Sequence, residues 1–377
     1  MSWYRIILMI VVCVSCFVKC KCDDPNVKPK NDGNVASREK MLTYIADDII
    51  LPSYAKFKVK ADSLSLIVNA FTENPTNQNL INLRSVWVNA YTEWQKVELF
   101  DVGPANRFAL RNFVNIYPCD PQKIKANILD TLSSLEISSS YTAQGFPSLD
   151  YLINGLASTD DSIVTFYSSD LNANKRRKYL KKVTTQLSNK FNETYTAWTT
   201  TYRSQFVSNT TLSAGSSTST FVNGFVLNYE KFIRAGKFSI PSGAIFGTTF
   251  PEKVEAFYKK DLSKTLASAA HQASLDLFTG KSVKNGTIGY SLQQYLDEIG
   301  ANDQASGKKL SEIIIAQMNK AQTSINGLDN NFYNLVKTDN QKLIATFNEL
   351  QATVKLIKVD MTSAMSISIT YTDNDGD

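Results

Sequence analysis

The residue best suited to chemistry in this chain is Asp150, in the stretch 144–155 (QGFPSLDYLING). Proline has no N–H to leave unpaired, so Pro147 suits a first helical position, and Gly155 can take the left-handed conformation that closes a last turn. The pattern predicts a short helix with Asp150 near its positive end. Carboxylate oxygens are hard ligands, which makes Asp150 a candidate ligand for iron.

The same stretch resembles the glycine-phenylalanine-histidine-x-x-glutamate signature of imelysin-like proteins, which are also classed as M75 peptidases. Gly145 and Phe146 match this signature, whereas Pro147 replaces its histidine and Asp150 replaces its glutamate. The resemblance implies a ligand site that includes Gly145, Phe146 and Asp150. Because proline offers no side-chain donor and aspartate is one methylene shorter than glutamate, no zinc site is expected.

Further matches to imelysin-like chains precede this motif. A leucine-proline-x-tyrosine start at residues 51–54, a tryptophan-bearing second helix, a glycine-proline corner at 103–104 and an aromatic-proline pair at 117–118 follow the family's order. Glu98 and Arg107 flank the corner and lie off the apolar stripe. We predict that both line a cleft, and the alternative is a pair of solvated surface charges.

The second half of the chain adds more charged candidates. A helix ending at Arg234 and a proline-x-x-valine-glutamate segment ending at Glu255 are similar to family segments, which implies that both side chains line the cleft. Each could equally be a helix-end charge interacting with the helix dipole. Asp375 and Asp377 are similar to the family's aspartate-glycine-aspartate ending and could be ligands or bond an arginine. A calcium loop is a weaker interpretation, because the remaining ligands are missing.

Histidine and cysteine are scarce. The chain has one histidine, His271, and one cysteine after residue 22, Cys119. His271 lies beside an apolar stripe and is predicted to be a surface or boundary residue. This inventory excludes a multi-histidine metal centre and a disulfide-stapled fold, so an apolar core must supply the stability.

Helices must position these residues, because apolar side chains recur three and four apart through most of the chain. Clear stripes run from Tyr54 to Phe71, from Leu83 to Val97 and from Leu343 to Met361. Alternation over residues 366–372 predicts a short extended tail laid on the helices. The predicted fold class is all-α, and the resemblance implies two helical-bundle halves with a cleft between them.

Composition places the boundaries. Residues 208–220 are rich in serine and threonine and predict a linker between an N-terminal half at 38–207 and a C-terminal half at 221–377. Residues 23–37 are rich in turn formers and predict a disordered tether.

Residues 1–22 predict a lipoprotein signal segment. Arg5 supplies a basic start, a short apolar run follows, and Ser15-Cys16 ends an approximate lipobox. Cys16 is therefore the predicted lipid anchor. Cys20 and Cys22 are alternatives, and so is a plain secretory signal without lipid.

The formal net charge of +5 is small for 377 residues, and the basic run at 175–178 has no interleaved aromatic residues, so no nucleic-acid partner is predicted. The anchor and the resemblance imply a bacterial lipoprotein of the outer membrane, facing the periplasm or the surface, with iron-uptake membrane proteins as partners. Three functional classes follow: a non-enzymatic protein that binds a metal or an iron-containing ligand, an M75-like metallopeptidase, and a helical scaffold without a ligand site. We favour the first, with iron as the candidate cofactor and an oxygen-only site from Asp150, Glu98, Glu255 and the terminal aspartates as one way to hold it.

Overall fold

The described part of the chain, residues 35–372 of a computed structural model, is built almost entirely from helices. In order, they are α1 (Val35–Tyr44), α2 (Leu51–Glu73), α3 (Asn77–Trp94), α4 (Pro104–Arg107), α5 (Leu110–Val114), α6 (Pro121–Leu129), α7 (Gly145–Asp150), α8 (Asp160–Ser168), α9 (Ala173–Ala197), α10 (Arg203–Ser208), α11 (Ser217–Leu227), α12 (Ile240–Ser242), α13 (Ser263–Thr279), α14 (Leu292–Glu298), α15 (Leu310–Asn326), α16 (Phe332–Thr338), α17 (Asn340–Lys355) and α18 (Thr362–Ala364). Wider π-helical turns extend several of them: Ile45–Ile50, Tyr151–Gly155, Trp198–Tyr202, Asn228–Ser239 and Leu356–Met361. Within this range, β-structure is limited to two isolated bridges, from Lys281 to Ile288 and from Asn302 to Lys309. The all-α prediction is confirmed.

The first group of helices is formed by α2, α3 and α9. The predicted stripe on α2 is buried along its length, and Phe57 contacts Trp94 of α3 and Phe191 of α9 with ring centroids 5.4 and 4.6 Å apart. The Thr76 hydroxyl caps α3 by accepting a hydrogen bond from the Asn79 N–H at 3.2 Å. A short turn between two amphipathic helices makes α2 and α3 an antiparallel pair.

The second group is formed by α13, α15, α17 and the turns Asn228–Ser239. The predicted stripe of the last long helix is buried in this group, with Leu343, Leu350 and Ile357 each 0% exposed. Both groups belong to one compact unit. No helix in the described range is both long and apolar enough to cross a bilayer.

Pro52 explains the π-helical turn between α1 and α2. Because proline lacks an N–H, the Asp48 carbonyl has no helical donor four residues on. The Val283 N–H donates to that carbonyl instead, at 2.9 Å. The helical run from α1 into α2 is continuous, and its Asp48 carbonyl holds the loop after α13.

Two predicted boundaries need correction. Helix α11 begins at Ser217, so residues 217–220 of the predicted linker are helical, and Ser217 to Ser219 are buried. The reason is that serine favours helix caps as well as loops: the Ser216 hydroxyl accepts a hydrogen bond from the Ser219 N–H at 3.1 Å. Helix α1 begins at Val35, so the last three residues of the predicted tether are helical as well. The signal segment and most of the tether lie outside the described residues.

The C-terminal tail is extended and lies against α11. Asn223 accepts a hydrogen bond from the Thr370 N–H at 2.8 Å and donates one to the Ser368 carbonyl at 3.1 Å. The Tyr371 hydroxyl donates to Glu230 at 2.6 Å. These bonds place the tail on the helical bundle, as the alternating pattern predicts.

Candidate functional site

The helix that carries the sequence motif begins at a residue that must be glycine. Gly145 has a φ of +72°, and a Cβ atom there would lie 2.3 Å from the Val114 carbonyl oxygen. Phe146 stacks on Tyr91 of α3, with ring centroids 4.5 Å apart and planes 6° apart. The first two motif residues therefore fix this helix against α5 and α3.

Two details of the predicted motif helix are wrong. Pro147 is the third helical residue rather than the first, because α7 begins at Gly145. Gly155 does not take the left-handed conformation, because helical turns continue through Tyr151–Gly155. Glycine is needed there for space, since a Cβ atom would lie 2.4 Å from the Tyr258 ring. Asp150 consequently lies in the middle of the helical run, away from its positive end.

A pocket of about 270 Å³ lies beside this helix, and we call it the motif pocket. Its lining comes from Pro147 and Asp150, from residues 117–119 and from residues between 252 and 258. The volume lies just below the range of about 300–1,000 Å³ that is common for small-molecule sites. Pro147, which stands where the family signature has histidine, gives this pocket an aliphatic surface.

Asp150 is the buried acid of the motif pocket and is 2% exposed, whereas Glu252, which also lines the pocket, is exposed. The Oδ1 of Asp150 accepts a hydrogen bond from Asn154 Nδ2, and its Oδ2 accepts one from the Tyr258 backbone N–H, both at 2.9 Å. Burial raises the pKa of Asp150 to about 7, against the opposing effect of these hydrogen bonds and of the Lys259 charge. The carboxyl group is thus poised between its neutral and ionised forms near neutral pH.

The cysteine thiol and the two tyrosine hydroxyls that line the motif pocket stay protonated at neutral pH. Burial raises the pKa of the Cys119 thiol to about 12, and it also raises the pKa of the Tyr117 and Tyr258 hydroxyls. A thiol with so high a pKa is a poor nucleophile and a poor metal ligand. The pocket therefore offers hydroxyl and thiol groups beside the buried carboxyl group of Asp150 and the exposed one of Glu252.

Glu255 lies in a separate buried network that joins the two groups of helices. Its Oε1 accepts hydrogen bonds from the Tyr91 hydroxyl at 3.0 Å and from the Gln95 and Asn115 amides at 2.9 Å each. Its Oε2 pairs with Lys237, which also donates to the Gln95 side-chain carbonyl at 2.8 Å. Burial alone would raise the pKa of Glu255, but Lys237 and these donors hold it below its ordinary value. We call this set the buried network.

Glu98 extends the buried network, whereas Arg107 does not join it. The partner of Glu98 is Arg111, which forms an ion pair with its carboxylate and also donates to its backbone carbonyl at 3.0 Å. The Arg111 guanidinium lies 3.3 Å from the centroid of the Phe232 ring. Arg107 is exposed and lies over the Phe108 ring. Glu98 is therefore paired with Arg111 in the buried network, whereas Arg107, which was predicted to line a cleft together with Glu98, is exposed.

Arg234 belongs to a different cluster. It donates to the Gln351 side chain and pairs at 3.5 Å with Glu230, which also accepts hydrogen bonds from Lys358 and Tyr371. This cluster holds the C-terminal tail. Three predicted functional residues, Cys16, Asp375 and Asp377, lie outside the described part of the chain.

The prediction that His271 is a surface or boundary residue is wrong. The imidazole is 0% exposed; its Nδ1 is 2.8 Å from Gln322 Oε1 and its Nε2 is 2.8 Å from the Tyr229 hydroxyl. Burial lowers its pKa to about 4, so it is neutral at pH 7. A histidine beside an apolar stripe can be buried when the neighbouring helices supply both polar partners, and the one-dimensional pattern does not show those partners.

Sequence reasoning missed most of the buried network. The predicted site residues did not include Lys237, Asn115 or Arg111. Tyr91 and Gln95 were the available signal in the sequence, because polar residues four apart lie on one side of the helix at the C-terminal end of α3, where Gln95 is the C-cap.

The predicted oxygen-only iron site does not fit the observed donors. Both oxygens of Asp150 and both oxygens of Glu255 already accept hydrogen bonds from protein donors, and Glu98 is paired with Arg111. Within residues 35–372, no group of three histidine, cysteine, aspartate or glutamate side chains is arranged to hold a metal ion. The described side chains therefore do not match a metal centre with three protein ligands.

The sequence matches a known family over most of its length. The family model for Imelysin, Peptidase_M75, matches residues 50–357. The chain is also 23% identical over 257 residues to "Iron-regulated protein A" of Synechococcus elongatus, a match that covers 67% of each chain.

Two solved structures share the fold. An imelysin-like protein from Psychrobacter arcticum superposes with a TM-score of 0.69 at 15% identity, covering 90% of this chain and 98% of that one. A putative iron-regulated protein A precursor from Parabacteroides distasonis has the same TM-score and identity and covers 87% of this chain and 96% of that one. At such identities the likeness concerns the fold alone.

Proposed function

This chain belongs to the imelysin family, and from that premise we propose that it is a non-enzymatic envelope lipoprotein that binds an iron-containing ligand in bacterial iron uptake. The relative named "Iron-regulated protein A" supports a role connected with iron. The motif pocket is the proposed binding site, with Gly145 and Phe146 shaping it and Asp150 contacting the ligand.

The observation that carries the proposal is the state of Asp150. This carboxyl group is buried in the motif pocket and has a pKa of about 7. Its hydrogen-bond donors, the Asn154 amide and the Tyr258 backbone N–H, are both neutral. Such a group can accept or donate a hydrogen bond to an organic ligand at neutral pH. We infer that the iron is held by donor atoms of the ligand itself, while the pocket recognises the organic part.

The pocket's composition favours binding over hydrolysis. A hydrolytic metal needs three good protein ligands and an open position, and Pro147 supplies no donor atom where the family signature has histidine. The neighbouring carboxylates Glu98 and Glu255 are fixed in ion pairs. Their role in the proposal is to join the two groups of helices, and neither contacts the ligand.

A calorimetric titration of the purified full-length protein tests the binding proposal. Ferrous, ferric and zinc ions and ferric citrate are added separately to the wild type, to Asp150→Ala and to the exposed control Asp62→Ala. The expected result is saturable binding of the iron complex, weakened at least about tenfold in Asp150→Ala and unchanged in the control. Circular dichroism checks that the variants keep their helical content. A wild type that binds none of the four would contradict the proposal.

The proposed anchor has its own test. Cys16→Ser removes the thiol that would be lipidated and should release the protein from the membrane fraction of the expressing cells. Cys20→Ser is the matched control and should leave the protein in that fraction. Retention of the Cys16 variant on membranes would exclude Cys16 as the anchor.

A further inference from the structure

A cavity larger than the motif pocket lies elsewhere among the described residues. It is a groove of about 1070 Å³ between α2, α3, α13, α15 and the loop 281–286, and we call it the polar groove. The polar groove and the motif pocket share none of their lining residues. The groove is therefore a second, separate candidate site.

Its lining carries an excess of positive charge. Five lysines line it against two carboxylates, Glu93 and Asp276, which leaves three positive charges in excess; the lysines are Lys56, Lys96, Lys264, Lys281 and Lys284. Asp48 pairs with Lys284 at 3.4 Å from outside the lining and reduces the excess to two. Positive side chains that converge on a concave surface attract anions and raise their local concentration.

The lysine-bearing loop is held firmly in place. The Val283 N–H donates to the Asp48 carbonyl at 2.9 Å, and the Ser282 hydroxyl lies 3.3 Å from Asp48 Oδ1. Lys56 reaches across to donate to the Val283 carbonyl at 2.8 Å. The vacant helical carbonyl created by Pro52 thus ties α2 and the loop into one wall of the groove.

The floor of the groove is a set of neutral hydrogen-bonded side chains, of which Gln322 and His271 are buried, Ser268 is half-buried and Asn326 is exposed. Gln322 is 8% exposed, and its amide donates to Ser268 at 2.8 Å and to Asn326 at 3.0 Å. Since that amide nitrogen is the donor in both bonds, its oxygen accepts from His271 Nδ1–H behind the floor, and Tyr229 donates to Nε2. His271 is therefore a positioning residue that fixes the orientation of the Gln322 amide towards the groove.

From this arrangement we propose that the polar groove binds a small organic polyanion that carries two or more carboxylate or phosphate groups. Lysine ammonium groups supply charge without demanding one geometry, and the floor supplies oriented hydroxyl and amide groups. The volume suits a molecule of metabolite size rather than a single small ion. This site goes beyond the proposed function and does not depend on it.

Calorimetry of the full-length protein tests the proposal with two probes, citrate for carboxylates and inorganic tripolyphosphate for phosphates. The variants are Lys56→Gln with Lys264→Gln in the groove, and Lys175→Gln with Lys178→Gln as a control on the exposed face of α9. We expect saturable binding of at least one probe, weakened at least about tenfold in the groove variant and unchanged in the control. The probe that binds identifies the anionic group.

Gln322→Glu gives a second readout, because it keeps an acceptor for His271 but places a negative charge in the floor. It should abolish binding of the same probe with helical content unchanged. Binding of neither probe up to about 10 mM would overturn the proposal. Equal weakening in the α9 control, or binding of a polyglutamate peptide alone, would overturn it as well.

Discussion

Asp150 and Glu255 are both 2% exposed, yet their pKa values move in opposite directions. Glu255 faces the Lys237 ammonium and three neutral donors, so its charged form is favoured. Asp150 faces an amide side chain and backbone N–H groups. The effect of burial on its pKa is therefore larger than that of these donors, and its neutral form is favoured. The difference between the two sites is the cation in direct contact.

This comparison separates structural from functional charge. An acid fixed in an ion pair holds its charge over a wide pH range and serves to join the helices. An acid whose pKa lies near neutrality can exchange a proton when a ligand arrives, which is why perturbed groups in pockets are functional candidates. Substitutions at and around the two acids can test this division.

Removing the cation from the buried network should cause the largest loss of stability. Lys237→Met leaves Glu255 charged and unpaired, which costs about 3–5 kcal/mol in the free energy of unfolding. Urea denaturation measures this loss in the free energy of unfolding. Lys178→Met on the exposed face of α9 is the control and should change stability by less than about 0.5 kcal/mol. A loss below about 1 kcal/mol in the Lys237 variant would show that the network is not structural.

Ionising Asp150 should destabilise the fold as the pH rises. Its pKa is raised from 3.8 to about 7, so the native state binds the proton more tightly than the unfolded state. The resulting stability is full below about pH 4 and is lost as the pH rises through 7, by up to about 4 kcal/mol. Relative to Asp150→Asn, the wild type should lose stability between about pH 4.5 and 8 in urea denaturation. Parallel curves of unfolding free energy against pH for the two proteins would contradict the raised pKa of Asp150. Asp62→Asn is the control for loss of a surface carboxylate.

Gly145→Ala should disturb the motif pocket through the backbone. The new methyl group would meet the Val114 carbonyl at 2.3 Å in addition to the strain of a positive φ, and we expect a loss of about 2–3 kcal/mol. Gly247 has the same φ of +72°, but a Cβ atom added there would have no atom within 4 Å. Gly247→Ala should therefore cost only about 1 kcal/mol. Equal thermal shifts for the two variants would contradict the claim that close packing against the Val114 carbonyl requires glycine at position 145.

His271 should give the opposite pH dependence to Asp150. Its pKa is lowered from 6.5 to about 4, so stability is full above about pH 6.5 and falls as the pH drops towards 4. At about pH 5 the loss should reach about 2 kcal/mol. In His271→Gln the acid-side slope should flatten, as followed by thermal unfolding. An unchanged slope would show that other groups carry the acid sensitivity.

Arg107→Ala should have the smallest effect. The side chain is exposed and lies over the Phe108 ring, so the change in stability should stay within about 0.5 kcal/mol. Arg111→Ala, which leaves Glu98 buried without its cation, is the contrasting variant and should cost several times more. Similar losses of stability in the two variants would show that the Arg107 side chain is not a free surface charge, and would support its predicted position in the cleft.

The sequence predicted the helices well and the site only in part. Stripes such as Tyr54 to Phe71 depend on local spacing, which one-dimensional reasoning captures. Asp150 and Glu255 were identified through motifs, and both proved to be buried. Lys237 and Asn115 were missed because their partners lie on other segments, and His271 was misplaced for the same reason. Whether a polar side chain is buried depends on donors that only the tertiary fold brings together.

The most direct test of the division between the two acids is a carboxyl ¹³C NMR titration of the full-length protein, with Asp150→Asn and Glu255→Gln used to assign the two signals. We predict that Asp150 titrates with a pKa of about 7 and that Glu255 titrates below its ordinary value of 4.5. If Asp150 also titrates near 4, it is an ordinary ionised carboxylate, and the case for it as the responsive acid of the motif pocket is lost.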